Sequence, residues 1–330
     1  MCTSIYFKTA DQKHLLSRTM DFSYELNPNP IFMPRRYQWK STIEGELREN
    51  KFGFVGAGKK LADHYFVADG VNEKGLAIAE LYLPGEAKYQ SSLDPDMINL
   101  APHEFITFLL GNCASIEDVR ILLSEIRLVE AKVPVMGIVT PLHWILTDCD
   151  GNCCVIEPTE KTLKLKPNPV GVMTNTPCLE WHLDNLRNYL NLSNRQRPSC
   201  QFGQYTAVPF SQGTGSLGLP GSYTPPDRFV RAAFFKEHTL EAQNEAEGVL
   251  NAYHILSTVF IPKGVVVTDR ETNDYSQYIG TMCNESRTYY YSSYDNTQVS
   301  SIILDEELLK ETEPRIFNIN QEFIIRNLNV

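Results

Sequence analysis

Cys2 becomes the chain terminus once Met1 is removed, and the small second residue makes that removal expected. A terminal cysteine carries its own base. The free thiol has a pKa near 8.5 and is mostly protonated at neutral pH. Its α-amino group, with a pKa of about 7.7–8.0, can take the proton and leave a nucleophile able to form a covalent acyl intermediate. Ser17-Arg18-Thr-Met20-Asp21 follows on the next strand-like segment. There Arg18 can favour the thiolate, and Asp21 can accept a hydrogen bond from the amine and orient it. Asn175 ends the run Val172-Met-Thr-Asn175 before a Thr-Pro turn, where its amide can donate to a developing oxyanion. Arg228 falls at a helix start, where the dipole disfavours a cation, so something other than helix stability places it there. Singly, each has an ordinary structural explanation, such as a solvated ion pair or a turn asparagine.

The elements that must position these groups are legible in outline. Residues 3–9 and 14–21 are rich in β-branched and aromatic side chains, and the polar link between them predicts a hairpin. Further strands are predicted over 31–38, 52–56, 65–69 and 76–83, the last two flanking the turn cluster Asn72-Glu-Lys-Gly75. Helices follow over 102–110 and 116–126, the second capped by Ser115. Strands return at 143–148, 153–157, 163–166 and 170–174. Then come a helix over 179–190 and a Gly-, Pro-, Ser- and Gln-rich excursion over 191–226. Asp227 is expected to cap a helix reaching 237, and a longer helix spans 242–260. Strands over 265–268, 275–282, 288–291 and 299–304 complete the chain. This order predicts sheets covered by segregated helices, an α+β architecture.

Composition narrows the function. Of 330 residues, 42% are hydrophobic and 21% charged, as in ordinary globular proteins. The net charge is −10, with no basic run, which argues against a nucleic-acid partner. No stretch reaches the roughly 18 apolar residues of a membrane span. The first residues lack a signal-peptide pattern, so no membrane association and a cytoplasmic location are expected. Eight cysteines without that pattern are weak evidence for disulfides. Cys149, Cys153 and Cys154 cluster without zinc-like spacing, and no metal is expected there.

The motifs Met1-Cys2-Thr-Ser, Arg18-Thr-Met20-Asp21-Phe, Asp69-Gly-Val-Asn-Glu-Lys-Gly75-Leu, Pro141-Leu-His-Trp144, Met173-Thr-Asn175-Thr-Pro, Gly218-Leu-Pro-Gly221 and Arg228-Phe-Val-Arg231 occur in one order along the chain. Together they resemble the choloylglycine hydrolase family, which comprises bile salt hydrolases and penicillin V acylases within the N-terminal-nucleophile hydrolases. The resemblance runs from Cys2 to about Leu304. It implies a four-layer αββα sandwich, with 1–330 as one domain, and hydrolysis of a linear amide without metal or organic cofactor. It further implies Cys2 as nucleophile and, through its amine, as base. Asp21 would hold that amine and Arg18 support the thiolate. Asn175 and the backbone N–H of Tyr82 would form the oxyanion hole, and Arg228 would stabilise transition-state charge. The family is expected to be homotetrameric, with 191–226 contributing to the interface.

Tyr82 stands where the resemblance suggests Asn in many bile salt hydrolases and Tyr in many penicillin V acylases. Tyr82 could wall a phenoxyacetyl group, with Met20 as an adaptable apolar neighbour. On this residue the chain is expected to stand nearer the bacterial penicillin V acylases, and the expected small-molecule acyl amide is phenoxymethylpenicillin. Conjugated bile acids, an N-acyl homoserine lactone, or acyl-amide binding by a non-catalytic homologue are the alternatives.

Overall fold

The computed structural model describes residues 1–330 apart from 44, 134, 135, 161, 320, 321 and 330. Two antiparallel sheets stack face to face. The first contains β1 (Cys2–Lys8), β2 (His14–Phe22), β10 (Val172–Met173), β11 (Tyr275–Cys283), β12 (Thr288–Ser293) and β13 (Ser300–Ile303), in the order β10-β1-β2-β11-β12-β13. The second contains β3 (Asn29–Met33), β4 (Phe54–Leu61), β5 (His64–Asn72), β6 (Ala77–Tyr82), β7 (Leu142–Thr147), β8 (Cys153–Ile156), β9 (Leu165–Pro167) and β14 (Arg315–Ile316). Its order is β9-β8-β7-β6-β5-β4-β3-β14. Helices α1 (Phe105–Asn112) and α2 (Ile116–Leu122) cover the second sheet; α3 (Leu179–Asn185), α4 (Pro225–His238) and α5 (Glu245–Ser257) cover the first. The result is the αββα sandwich that the sequence led us to expect.

Alternation along the strands decides which site residues can meet. In the β1/β2 hairpin Cys2 pairs with Met20 and Ser4 with Arg18. Side chains directly or diagonally opposite share a face, so Cys2, Met20 and Arg18 all point between the sheets. Asp21, one residue on from Met20, points instead toward α4 with Thr3 and Thr19. On β6, Ala77, Ala79 and Leu81 fill the core between the sheets, while Ile78 and Tyr82 join the core beneath α1. Near the site the second sheet opens. The β5/β6 ladder begins only at Asp69↔Ala79, and the β4/β5 register shifts between Ala57 and Gly58, opposite Ala68.

The Asn72-Glu-Lys-Gly75 turn closes as the sequence predicts. Asn72 Oδ1 accepts from the Lys74 and Leu76 amides, and Gly75 N donates to Asn72 O. Gly75 has φ +87°, and a Cβ there would lie 2.4 Å from Cys149 Sγ and 2.6 Å from Asn284 O. Both the backbone and the space demand glycine. Gly75→Ala is expected to cost roughly 2–4 kcal/mol, read as a lower midpoint in urea at unchanged m-value.

Several boundaries differ from expectation, for local reasons. β4 and β5 run on past the expected 52–56 and 65–69 to meet at a tight turn over 62–63, so residues 57–61 and 64 are strand as well. The helix expected to start from Asp227 is capped at Thr224 and begins with Pro225, whose fixed φ suits the first turn. The 179–190 helix tightens into a 3-10 turn over Leu186–Tyr189, and the 116–126 helix does so over Leu123–Glu125. α5 is shorter than 242–260 because the Asn244 side chain caps it by accepting from Glu247 N. The 265–268 strand reduces to a single bridge, Val267↔Asn273. Within 191–226 the chain forms a short exposed ribbon, Cys200–Phe202 against Tyr205–Ala207. Among the described residues no helix is long and apolar enough to cross a membrane.

Candidate active site

Cys2 is 3% exposed, and its Sγ accepts a hydrogen bond from Arg18 Nη2 at 3.0 Å. Arg18 is itself fully buried, a costly place for a guanidinium unless its charge and donors are met. Asp69 on β5 meets them. Its Oδ2 pairs with Arg18 Nη1 at 3.0 Å and accepts from Tyr278 Oη, while Oδ1 accepts from Tyr289 Oη at 2.6 Å and from the Ala57 amide at 3.2 Å. Burial alone works against the Arg18 charge. Tyr278, Cys2 and Asp69 outweigh it, and the guanidinium is held more firmly protonated than in water. Asp69 thus aims Arg18 at the sulfur across the sheet interface. Sequence reasoning placed Asp69 in a motif but gave it no role.

Asn175 follows β10. Its Oδ1 accepts from Cys2 N at 2.9 Å and from Arg228 Nη2 at 2.6 Å, and its Nδ2 donates to Tyr82 O at 2.8 Å. An arginine can only donate, so it fixes which end of the carboxamide is oxygen. Arg228 is fully buried beneath β1. It also donates to Cys2 O at 2.5 Å, Thr3 Oγ1 at 2.6 Å and Tyr223 O at 2.9 Å. Its place in the first turn of α4 is therefore dictated by the site. Two histidines pin the backbone beside Asn175. His143 Nε2 lies 3.0 Å from Thr174 O, and His182 Nε2 2.9 Å from Asn175 O, its ring stacked on Phe229. Sequence reasoning assigned neither.

The Tyr82 backbone completes this arrangement. Leu83 N donates to Pro141 O beside β7. Alternation then turns both the N–H and the C=O of Tyr82 to the opposite edge, where Asn175 Nδ2 sits. Asn175 Nδ2 and the Tyr82 N–H therefore lie along the same edge of β6.

Asp21 is placed differently from expectation. Its carboxylate accepts from Ser276 Oγ at 2.5 Å and Thr19 Oγ1 at 3.1 Å and lies 3.9 Å from Arg228 Nη1. Burial raises its pKa, against the pull of Arg228, the chain terminus and those two hydroxyls. The Cys2 nitrogen rests on Asn175 Oδ1 rather than on this carboxylate. The Met1 ammonium, still attached, donates to the Asp21 carbonyl at 2.6 Å and to Asp274 Oδ2 at 3.3 Å.

The thiol opens on a pocket of about 850 Å³, its mouth included. Met20, Phe22, Leu26, Ala57 and Tyr82 are among its walls. Met20 Sδ lies 4.0 Å from Cys2 Sγ, and the Tyr82 ring sits 5.3 Å from that of Phe22. The wall is largely apolar, as suits an acyl group. Lys59, Glu80, His103 and Thr140 are polar exceptions. For Glu80, a lone acidic residue in an apolar strand was the available signal, and it went unread. The cysteines at 149, 153 and 154 are free and form no ligand cluster. Among the described residues the one set of potential metal ligands in reach of each other is Glu157, Cys178 and Glu180, and Lys166 already bridges its two carboxylates.

Comparison with known proteins agrees with this geometry. The model of the choloylglycine hydrolase family, "Linear amide C-N hydrolases", matches residues 2–317. A "Bile salt hydrolase/transferase" of Clostridium perfringens is 32% identical over the whole length of both chains. The crystal structure of a C2A mutant of conjugated bile acid hydrolase from that organism superposes with a TM-score of 0.93, at 32% identity and full coverage of both chains. A "Penicillin V acylase" of Pectobacterium atrosepticum is 23% identical over 84% of this chain and 74% of its own. This corrects the expectation, drawn from Tyr82, that the chain stands nearer the penicillin V acylases. One pocket side chain is a poor guide to descent, because it changes with substrate while the scaffold does not. The chain belongs to the choloylglycine hydrolase family and is a cysteine N-terminal-nucleophile hydrolase of linear amide C–N bonds.

Proposed function

We propose that the protein hydrolyses the amide of conjugated bile acids, seating the acyl half in the pocket beside Cys2. The observation that carries this reading is a thiol held by Arg18 at the wall of a largely apolar pocket, as suits an acyl group. The full-length similarity to a bile salt hydrolase supports it. Once Met1 is removed, the Cys2 amine accepts the thiol proton and the thiolate attacks the amide carbonyl. The oxyanion forms between Asn175 Nδ2 and the Tyr82 N–H. The amine then protonates the leaving nitrogen, and a water activated by the same amine hydrolyses the thioester. Arg18 keeps the sulfur anionic. Arg228 orients Asn175 rather than touching the reacting atoms, and Asp21 neutralises Arg228 behind the nucleophile.

The Tyr82 ring against Phe22 favours phenoxymethylpenicillin as a second substrate. Phe202, Tyr205, Val208 and Phe210, exposed on the 191–226 excursion, support a homotetramer built through that segment. Substrate choice is tested by steady-state kcat/KM of the mature protein on glycocholate and phenoxymethylpenicillin. The expected ratio favours glycocholate by about tenfold or more. A ratio favouring the penicillin overturns the bile acid reading while leaving the amidase chemistry in place.

A further inference from the structure

Glu80 lies on β6 between Ile78 and Tyr82, opposite Trp144 of β7, and lines the pocket that holds Cys2. Its Oε2 is shut off from solvent and has no hydrogen-bond partner among the described residues. The Trp144 indole N–H is close enough to favour the carboxylate but is likewise unpaired. A buried polar atom left unpaired is a standing cost. The rest of the side chain is only partly buried, and where the sheet has opened its exposed part borders the pocket. Burial pushes the Glu80 carboxyl up to about 8, with Asp69 adding to the shift and Arg18 opposing it. At neutral pH the group is therefore mostly a neutral acid, able to donate and to accept. That chemistry matches a hydroxyl, which can do both in return. It does not match an ammonium group, which the nearby Arg18 repels and the apolar walls penalise.

We propose that Glu80 is a specificity-determining group, whose carboxyl hydrogen-bonds a hydroxyl carried by the acyl half of the substrate. The pocket then favours hydroxylated ring systems over bare ones. This rests on the reading that the acyl half occupies the pocket beside Cys2. A bare ring leaves the pocket side of the carboxyl without a partner and gains nothing; a hydroxylated one pairs that side and its own oxygen together.

The test is kcat/KM of mature wild type, Glu80→Met and Glu80→Gln on glycocholate, glycodeoxycholate and glycolithocholate, with phenoxymethylpenicillin as a substrate lacking any hydroxyl. Wild type is expected to prefer glycocholate over glycolithocholate, and Glu80→Met to shrink that preference about tenfold or more. Methionine fills similar space without a polar atom, so the fold should accept it. Glu80→Gln retains a donor and an acceptor and should keep most of the preference. It also isolates the proton. The charged and titratable groups around Glu80 are Arg18, Asp69, Tyr82, Tyr89 and, on the same pocket wall, Cys2, Lys59, His103 and Tyr278. Above about pH 8 wild type becomes a carboxylate and loses its donor. Its preference for glycocholate should then decline relative to that of Glu80→Gln. An unchanged preference in Glu80→Met, or a pH response shared by wild type and Glu80→Gln, overturns the role of Glu80. If mature wild type cleaves none of the bile acid conjugates, the bile acid reading itself falls.

Discussion

Replacing Cys2 by alanine is expected to remove turnover on every substrate, a loss on the order of 10⁴-fold or more, because nucleophile and proton acceptor belong to one residue. A chain that keeps Met1 should be as inactive as Cys2→Ala. In that chain the nitrogen on Asn175 Oδ1 is an amide, with no lone pair to take a proton. Intact mass separates the two forms, and single-turnover kinetics with glycocholate and phenoxymethylpenicillin measures each. The mature fraction should account for all activity. A Met1-bearing fraction that turns over at the mature rate would show that the base lies elsewhere, and the terminal amine would lose its role.

Asn175→Asp should be the most damaging isosteric change in the site. The new carboxylate can still accept from Cys2 N and Arg228, but it loses the bond that Nδ2 donates to Tyr82 O. Its second oxygen takes the place of Nδ2. A donor aimed at the developing oxyanion becomes a like charge. Loss of one such donor costs about 10²–10³ in kcat, the expectation for Asn175→Ala; charge reversal should exceed that. The effect belongs in kcat, with KM changed little, because the ground-state carbonyl makes smaller demands on the donor. Mass spectrometry must confirm Met1 removal in each variant. A kcat for Asn175→Asp within tenfold of wild type would remove Asn175 from the oxyanion hole.

The sequence carries the first half of this site and conceals the second, for a physical reason. Cys2, Arg18 and Asp21 sit on one hairpin, and their relation follows from a ladder register that local pattern can suggest. The misplacement of Arg228 against a helix dipole was also readable, since it is a local conflict with a local rule. Asp69, His143 and His182 act across sheets or strands far from their neighbours in the chain, and nothing beside them in sequence reports it. The same holds for Asp21. Its spacing from Arg18 was legible, but strand alternation sends the two to opposite faces, so its carboxylate meets Arg228, Ser276 and Thr19 instead of the Cys2 nitrogen. Tyr82 shows a different error, a side chain asked to say too much about substrate.

The hydrogen bond from Cys2 N to Asn175 Oδ1 has a kinetic consequence. It is made by an amide while Met1 is present, and an amine can make it unchanged afterwards. The sulfur, Arg18, Asn175 and the Tyr82 N–H already hold their relative positions in the uncut chain. Removal of Met1 is therefore expected to free the amine within contacts already made, instead of starting a rearrangement. Activity should rise in step with the release of methionine, without a lag for refolding.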